Sequence, residues 1–338
     1  MKAVGFRKSL PIGEAESLID FEAPAPEARP RDLVVQVRAV SVNPVDTKMR
    51  MRGVAAGETK ILGFDAAGVV ESVGKDAALF RPGDEVFYAG SNIRPGTNSQ
   101  LHAVDERIVG RKPKKLSFAE AAALPLTSIT AWELLFDRFR IARPGGKGSL
   151  LVIGGAGGVG SIMIQLARKL TRLTVIATAS RPETIKWCTE LGAHHTIDHT
   201  RPLAEELNRI GLPEVNHVAG LTQTVKHFPS LPEIIAPQGM FGLIDDPAAL
   251  DVVPLKRKCV SVHWEAMFTR SMFTTPDIQA QHDLLNEVSA LVDAGTLRTT
   301  MTKNLGPISA ANLRKAHALI ESGTSIGKVV LEGFPASA

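Results

Sequence analysis

Leu150-Leu151-Val152-Ile153-Gly154-Gly155-Ala156-Gly157-Gly158-Val159-Gly160 decides how this chain is read. Four apolar residues make a short buried strand, and the apolar helix predicted over residues 159–170 opens on a run of glycines. Gly155, Gly157 and Gly160 fit the G-x-G-x-x-G spacing in the context that gives it meaning, after a strand and at the start of a helix. On this reading Gly155 permits the tight turn, Gly157 leaves backbone room for a pyrophosphate, and Gly160 lets helix and strand pack closely. Ala156, Gly158 and Val159 belong to the same cofactor-binding loop, where free N–H groups and the helix dipole favour an anion.

The residues that follow name the cofactor. A site for the unphosphorylated dinucleotide places an acid about 20 residues further on, at the end of the next strand, to hold the ribose hydroxyls. This chain has Thr178-Ala179-Ser180-Arg181-Pro182 there, with no acid before Glu183. A hydroxyl at Ser180 and a guanidinium at Arg181 suit a 2′-phosphate. NADPH is therefore the expected cofactor.

Beyond the loop the chain alternates strands (174–178, 196–197, 218–219, 240–244) with helices (182–191, 224–235). Such alternation indicates a parallel, doubly wound sheet. The N-terminal third is different, with valine-rich segments at 33–40, 65–73 and 85–88 broken by turns such as Arg81-Pro82-Gly83-Asp84. It reads as an antiparallel β module. The change comes at Ser117-Phe118-Ala119-Glu120, a capping-box spacing that predicts a helix through 124, with a second over 128–136. A long amphipathic helix over 279–294 and a strand over 327–331 close the chain. The overall class is α/β.

At 338 residues the chain suits two domains at about 100–200 residues each. Hydrophobic residues at 44% and charged residues at 22% exclude a disordered or fibrous protein. Thirty-nine basic against 35 acidic residues leave a net charge of +4, too shallow for a nucleic-acid footprint. The densest basic run, Arg111-Lys112-Pro113-Lys114-Lys115, has no aromatic interleaving and reads as a solvated linker. No segment has the length and apolarity of a signal peptide or membrane span, and two cysteines suit a reducing cytoplasm.

Taken in order, Val42-Asn43-Pro44-Val45-Asp46, Gly63-Phe64-Asp65-Ala66-Ala67-Gly68, Phe80-Arg81-Pro82-Gly83-Asp84-Glu85-Val86, Leu124-Pro125-Leu126-Thr127, the glycine loop, Leu191-Gly192-Ala193 and Gly327-Lys328-Val329-Val330-Leu331 resemble the medium-chain dehydrogenase/reductase superfamily, in its quinone oxidoreductase (zeta-crystallin-like) branch. Ile244-Asp245-Asp246-Pro247 and Val262-His263-Trp264-Glu265 are similar to a subfamily labelled zinc-type alcohol dehydrogenase-like. The resemblance implies a GroES-like catalytic domain from residues 1–125 and 266–338, split around a central Rossmann domain over 126–265. It also implies a homodimer paired through the edge strand near 258–264.

Zinc-dependent relatives carry a cysteine and a Gly-His-Glu motif at the metal. Here those positions read Asn43 and Gly63-Phe64-Asp65, and phenylalanine cannot bind a metal. Two cysteines cannot make a four-thiolate lobe, and neighbouring His194 and His195 point oppositely on a strand. No metal is expected. Without one, alcohol oxidation lacks a group to hold an alkoxide, whereas hydride delivery from NADPH to a quinone or α,β-unsaturated carbonyl needs mainly orientation and nearby donors.

The resemblance places Asn43 at the reacting end, Asp46 as an ordering residue of its loop, Lys48 where many relatives have tyrosine, and Thr130 near the nicotinamide. It gives Arg270 and Lys328 cofactor contacts. The alternatives left open are a zinc-dependent alcohol dehydrogenase and a non-catalytic NADPH-binding sensor.

Overall fold

The computed structural model describes residues 1–335 and divides into two compact units, Met1–Ile129 with Phe268–Ala338, and Thr130–Met267. In the first unit Asp32–Val42 is the organising strand. Its alternation is imperfect because most of it is buried, with only Gln36 and Arg38 exposed. Asp65–Val73 runs antiparallel along one edge of it, while Lys328–Glu332 and Leu101–Asp105 share the other. The seven-stranded sheet continues from Lys328–Glu332 to Met301–Asn304, and from Asp65–Val73 through Glu85–Tyr88 to Val109–Arg111. A three-stranded sheet of Ile19–Glu22, Lys2–Phe6 and Lys60–Ile61 accompanies it. Val35, Val37, Val40, Val86 and Leu331 belong to one buried cluster of this unit. The antiparallel character expected of the N-terminal third is thus present, completed by a strand from the far end of the chain.

The second unit holds a six-stranded parallel sheet in the order His195–Ile197, Thr174–Thr178, Ser149–Ile153, Val215–Gly220, Ile235–Leu243, Ser261–Trp264. The order reverses beside Ser149–Ile153, the strand that feeds the glycine loop, which is the switch point where doubly wound sheets bind ligands. Every residue of that strand is buried. Ser261–Trp264 forms one edge of the sheet, with the Trp264 side exposed.

Several expected elements differ in detail. Ser117 and Glu120 form the predicted capping box, with Glu120 N–H donating to Ser117 Oγ at 3.2 Å and Ser117 N–H to Glu120 Oε2 at 2.9 Å. The next helix is Pro125–Trp132, and its continuation Glu133–Arg138 widens into a π turn. The helix expected over 224–235 is broken into Thr224–His227, a 3-10 turn and Leu231–Ile234, because Pro229 and Pro232 lack the N–H a continuous helix needs. Four helices carried no sequence reading at all, Pro44–Arg52, Leu203–Arg209, Thr269–Phe273 and Ala310–Glu321.

The basic run at 111–115 is not a solvated linker. Arg111 ends a strand, lies over the Phe80 ring at 5.0 Å and pairs with Asp84 at 3.1 Å. Lys112 is buried, donating to the Leu116 carbonyl at 2.6 Å and pairing with Glu85 at 3.1 Å. Backbone N–H groups of Lys114 and Lys115 donate to Asp293. Among the described residues no helix is long and apolar enough to cross a membrane.

One buried polar group of the second unit sets a pH response. Arg138 Nε donates to Glu265 Oε2 at 2.9 Å and its guanidinium lies 3.7 Å from Glu133, with both carboxyl groups buried. Burial first, and then the Glu133 charge, hold the Glu265 carboxyl well above the usual range, against the pull of Arg138. The folded chain therefore keeps a proton that the unfolded chain releases, and stability falls as pH rises above the ordinary glutamate range. Glu265→Gln, which imitates the protonated acid, is expected to flatten that fall. The urea midpoint between pH 6 and pH 9 measures it, and an unchanged slope would place the proton elsewhere.

Candidate functional sites in the two units

In the second unit the glycines divide the work differently from the sequence reading. The tight turn belongs to Gly154, whose φ of 92° is left-handed. Its N–H donates to Thr178 Oγ1 at 2.9 Å, tying the turn to the end of the neighbouring strand. Gly155 is instead a packing position, since a Cβ there would lie 2.7 Å from Ala177 Cβ. At Gly160 a Cβ would come within 2.4 Å of the Gly154 carbonyl oxygen, so helix and turn touch there as expected. Gly157 alone of the three has an open face, its nearest neighbour being the Gly154 oxygen at 3.4 Å.

The helix Gly158–Leu170 starts directly after Gly157, with no side-chain cap. Its first-turn N–H groups, from Gly158, Val159 and Gly160, have no intrahelical acceptors by geometry, and the positive end of the helix dipole lies at the same place. Ala156 is buried behind them. A bare Gly157 face under a run of unpaired N–H groups fits a pyrophosphate. Ser180 and Arg181 follow the strand Thr174–Thr178. Arg181 precedes the helix Pro182–Glu190, its side chain 41% exposed and 3.3 Å from Glu183. A partly exposed pair of this kind contributes about 1 kcal/mol at most, so a phosphate dianion can compete for the guanidinium.

The first unit holds a buried polar cluster centred on a residue to which the sequence reading gave no role, Asp65. Its Oδ2 accepts from Ser41 Oγ at 2.7 Å, from Asn43 Nδ2 at 2.8 Å and from Lys328 Nζ at 3.0 Å. Its Oδ1 accepts the Leu126 N–H at 2.7 Å. Lys328 Nζ also donates to Asn43 Oδ1 and, at 3.1 Å, to the Val42 carbonyl. All three ammonium protons thus have acceptors inside the unit.

That arrangement corrects two expectations. Lys328 does not reach for phosphates from the closing strand; it is the buried counter-ion of Asp65. Asn43, 1% exposed, has its amide turned inward onto Asp65 and Lys328. It is therefore a positioning residue in this structure.

Asp46 lies in the first turn of Pro44–Arg52 and accepts N–H groups from Asn43 at 2.8 Å and Gly63 at 3.0 Å, joining the loop to the approach of Asp65. Burial raises its carboxyl to about 7, against those two hydrogen bonds and the Lys328 charge. Lys48 is exposed on the same helix. Thr130 is buried in Pro125–Trp132. Arg270 is held by Asp277 at 3.0 Å from Nε and 2.9 Å from a terminal nitrogen, so a cofactor contact there would compete with that carboxylate.

The positions where zinc-dependent relatives carry ligands do not fit a metal. Phe64 packs on Phe268, ring centroids 4.9 Å apart. Asp65 Oδ2 already takes three donors, one of them a full cation. Among the described residues no three His, Cys, Asp or Glu side chains are grouped as ligands.

Comparison with known proteins places this geometry in a family. Residues 29–131 match the alcohol dehydrogenase GroES-like domain, and residues 191–331 match the zinc-binding dehydrogenase domain. The chain belongs to the medium-chain dehydrogenase/reductase superfamily and is an oxidoreductase of that type. Within it, the chain belongs with the zinc-type alcohol dehydrogenase-like proteins. One of these, from Staphylococcus aureus, is 39% identical over 98% of this chain and 99% of its own. The 2-methylene-furan-3-one reductase of Solanum lycopersicum is 28% identical, covering 94% of this chain and 76% of that protein.

Among solved structures, a Rhizobium etli protein provisionally assigned to the zinc-dependent alcohol dehydrogenases superposes with a TM-score of 0.96. It is 59% identical, over 99% of each chain. The quinone oxidoreductase of Coxiella burnetii superposes at 0.80 and is 26% identical, over 98% of this chain and 99% of that one.

Two substitutions separate packing from binding in the glycine loop. Gly160→Ala is expected to lower stability by about 1–3 kcal/mol through overpacking against backbone, read as a lower Tm. Gly157→Ala is expected to keep the Tm within a few degrees while weakening dinucleotide binding in a fluorescence titration.

In the other unit, Asp46→Asn removes one of two acceptors and should cost about 1–3 kcal/mol. It should also remove a pH dependence. The raised carboxyl makes wild-type stability fall as pH climbs from the ordinary aspartate range to about 7, and urea unfolding of the variant should show a flatter profile there.

Proposed function

We propose that this protein is an NADPH-dependent reductase that transfers a hydride to quinones or α,β-unsaturated carbonyl compounds without zinc. The observation that carries the proposal is the saturation of Asp65: with Ser41, Asn43 and the Lys328 ammonium on one oxygen, the residues at the ligand positions offer a metal no place. A reductase of this fold that lacks a Lewis acid suits acceptors that need only a hydride and a proton. Quinones and enones are such acceptors. The similarity to a quinone oxidoreductase and to a reductase of 2-methylene-furan-3-one, a conjugated ketone by its name, supports that choice.

The nicotinamide cofactor supplies the hydride when bound. The protein's part is to hold and orient it. Gly157 and the first-turn N–H groups of Gly158, Val159 and Gly160 would take the pyrophosphate, and Ser180 with Arg181 the 2′-phosphate. The Asn43–Asp65–Lys328 cluster and Asp46 keep the loop at residues 43–46 in one conformation, from which Lys48 extends. We assign Lys48 to the oxygen on which negative charge develops, and Thr130 to the nicotinamide side. Ser261–Trp264 is the edge through which two copies would pair, and a cytoplasmic setting suits the two free thiols Cys188 and Cys259.

The names of the matched domain and of the Rhizobium etli protein favour a second reading, zinc-dependent alcohol oxidation. One assay separates the two: NADPH oxidation against an NADH control, with ortho-quinones, para-quinones and enones, with and without a strong chelator. Turnover that survives chelation and prefers NADPH is expected. Loss of activity on chelation would overturn the zinc-free reading. Arg181→Gln should raise KM for NADPH about tenfold and leave KM for NADH unchanged, the loss of one charge-assisted contact.

A further inference from the structure

A groove of about 650 Å³ opens in the first unit between the turn at residues 11–13, the helix Pro44–Arg52 and the last residue of Ala310–Glu321. Its size lies in the usual range for small-molecule sites. We propose that it binds an amphipathic organic anion, a carboxylate carried on an aliphatic body. It goes beyond the function proposed above and shares with it only Lys48, which lies on the rim of the groove.

The charge lining is one-sided. Lys48, Arg50 and Arg52 face Glu321 as the one acidic residue of the lining. Arg50 is the anchor. Its side chain is 1% exposed, and its guanidinium donates to the Leu10 carbonyl and to Glu321, while Nε has no hydrogen-bond partner. A guanidinium buried so deeply needs a counter-ion, and removing one is costly. Glu321, however, is 32% exposed and ends its helix. A ligand carboxylate can take its place on the fork of Arg50 without leaving the buried charge unpaired, and Glu321 can then turn to water.

The apolar half of the lining matches the rest of such a ligand. Ile12 is half-buried and Met51 is 53% exposed, an unusual position for a methionine on a nine-residue helix otherwise rich in charge. A thioether adapts to aliphatic chains of varied shape. His317, one turn before Glu321, is fully buried with neither ring nitrogen hydrogen-bonded, and burial together with the Arg50 charge lowers its pKa to about 3. It therefore stays neutral at neutral pH and leaves Arg50 as the buried cation of this region.

Calorimetric titration of the full chain with octanoate tests this, with octanol, octylamine and inorganic phosphate as comparisons. Octanoate is expected to bind, and the other three to bind at least tenfold more weakly. Arg52→Gln should weaken octanoate about threefold, as expected for one exposed charge, and Glu321→Gln should tighten it by removing the competing carboxylate. A Tm within a few degrees of wild type and an unchanged far-ultraviolet circular dichroism spectrum certify each variant as folded.

Octanol binding as tightly as octanoate would overturn the anion requirement, and phosphate binding as tightly would overturn the apolar one. Octanoate binding untouched by both substitutions would place the ligand elsewhere, and no octanoate binding at millimolar concentration would dispose of the site. Octanoate binding is read without any quinone or enone present, so failure of this proposal and failure of the reductase reading are distinguishable.

Discussion

The first unit depends on one buried charge pair. Asp65 and Lys328 come from strands on opposite sides of Asp32–Val42, and both are almost completely buried. An isolated buried carboxylate or ammonium would cost several kcal/mol, and even their mutual attraction offsets that only when the remaining lone pairs and protons are satisfied. Here they are: Ser41, Asn43 and the Leu126 N–H complete the carboxylate, while Asn43 and the Val42 carbonyl complete the ammonium. Such a pair adds little net stability, but it tolerates few alternative arrangements. It locks together the loop after the organising strand, the Gly63–Asp65 segment, the start of Pro125–Trp132 and the last strand of the chain.

That constraint also shapes the chemistry. A carboxylate at this place in a dehydrogenase of this superfamily could serve a metal. In this chain it serves an internal cation tethered to the closing strand. A tethered ammonium with all its protons engaged has no vacant position and cannot act as a Lewis acid on a substrate oxygen. What the cluster can do is hold Asn43 and Asp46 still, and with them the first turn of the helix Pro44–Arg52.

The second unit solves a different problem. On the function proposed above, its sheet has to bring backbone close enough to an anion for N–H groups to act as ligands, which requires surfaces without side chains. Gly154 takes the left-handed turn, Gly155 and Gly160 allow close packing, and Gly157 leaves the open face. The division of labour is mechanical. Three glycines give way to neighbouring strand, helix or backbone so that one can give way to a ligand.

Much of this was legible without coordinates because it is local. The strand, glycine run and helix at 150–170, the missing acid after Thr178, and the Ser117–Glu120 capping box each involve residues within a few positions of one another, so composition and spacing state them directly. The helix Pro44–Arg52 escaped notice because it has no apolar stripe, although Asn43-Pro44 with Asp46 is a start signal that could have found it. The tight turn was given to Gly155, and Gly154 was passed over, because which glycine turns and which packs depends on how near the neighbouring strand comes.

Asp65, Lys328 and Asn43 were misread or passed over for a stronger reason. Their partners lie 22, 24, 61 and 263 residues from Asp65, and a charge buried by distant segments looks, in sequence, like any solvated one. The sequence by itself determined the fold class, the glycine loop between strand and helix and the absence of the usual zinc ligand types, since these rest on local pattern and residue chemistry. Only the tertiary structure decided which polar groups face each other out of water, because desolvation is a property of everything packed around a residue and not of the residue or its neighbours in the chain.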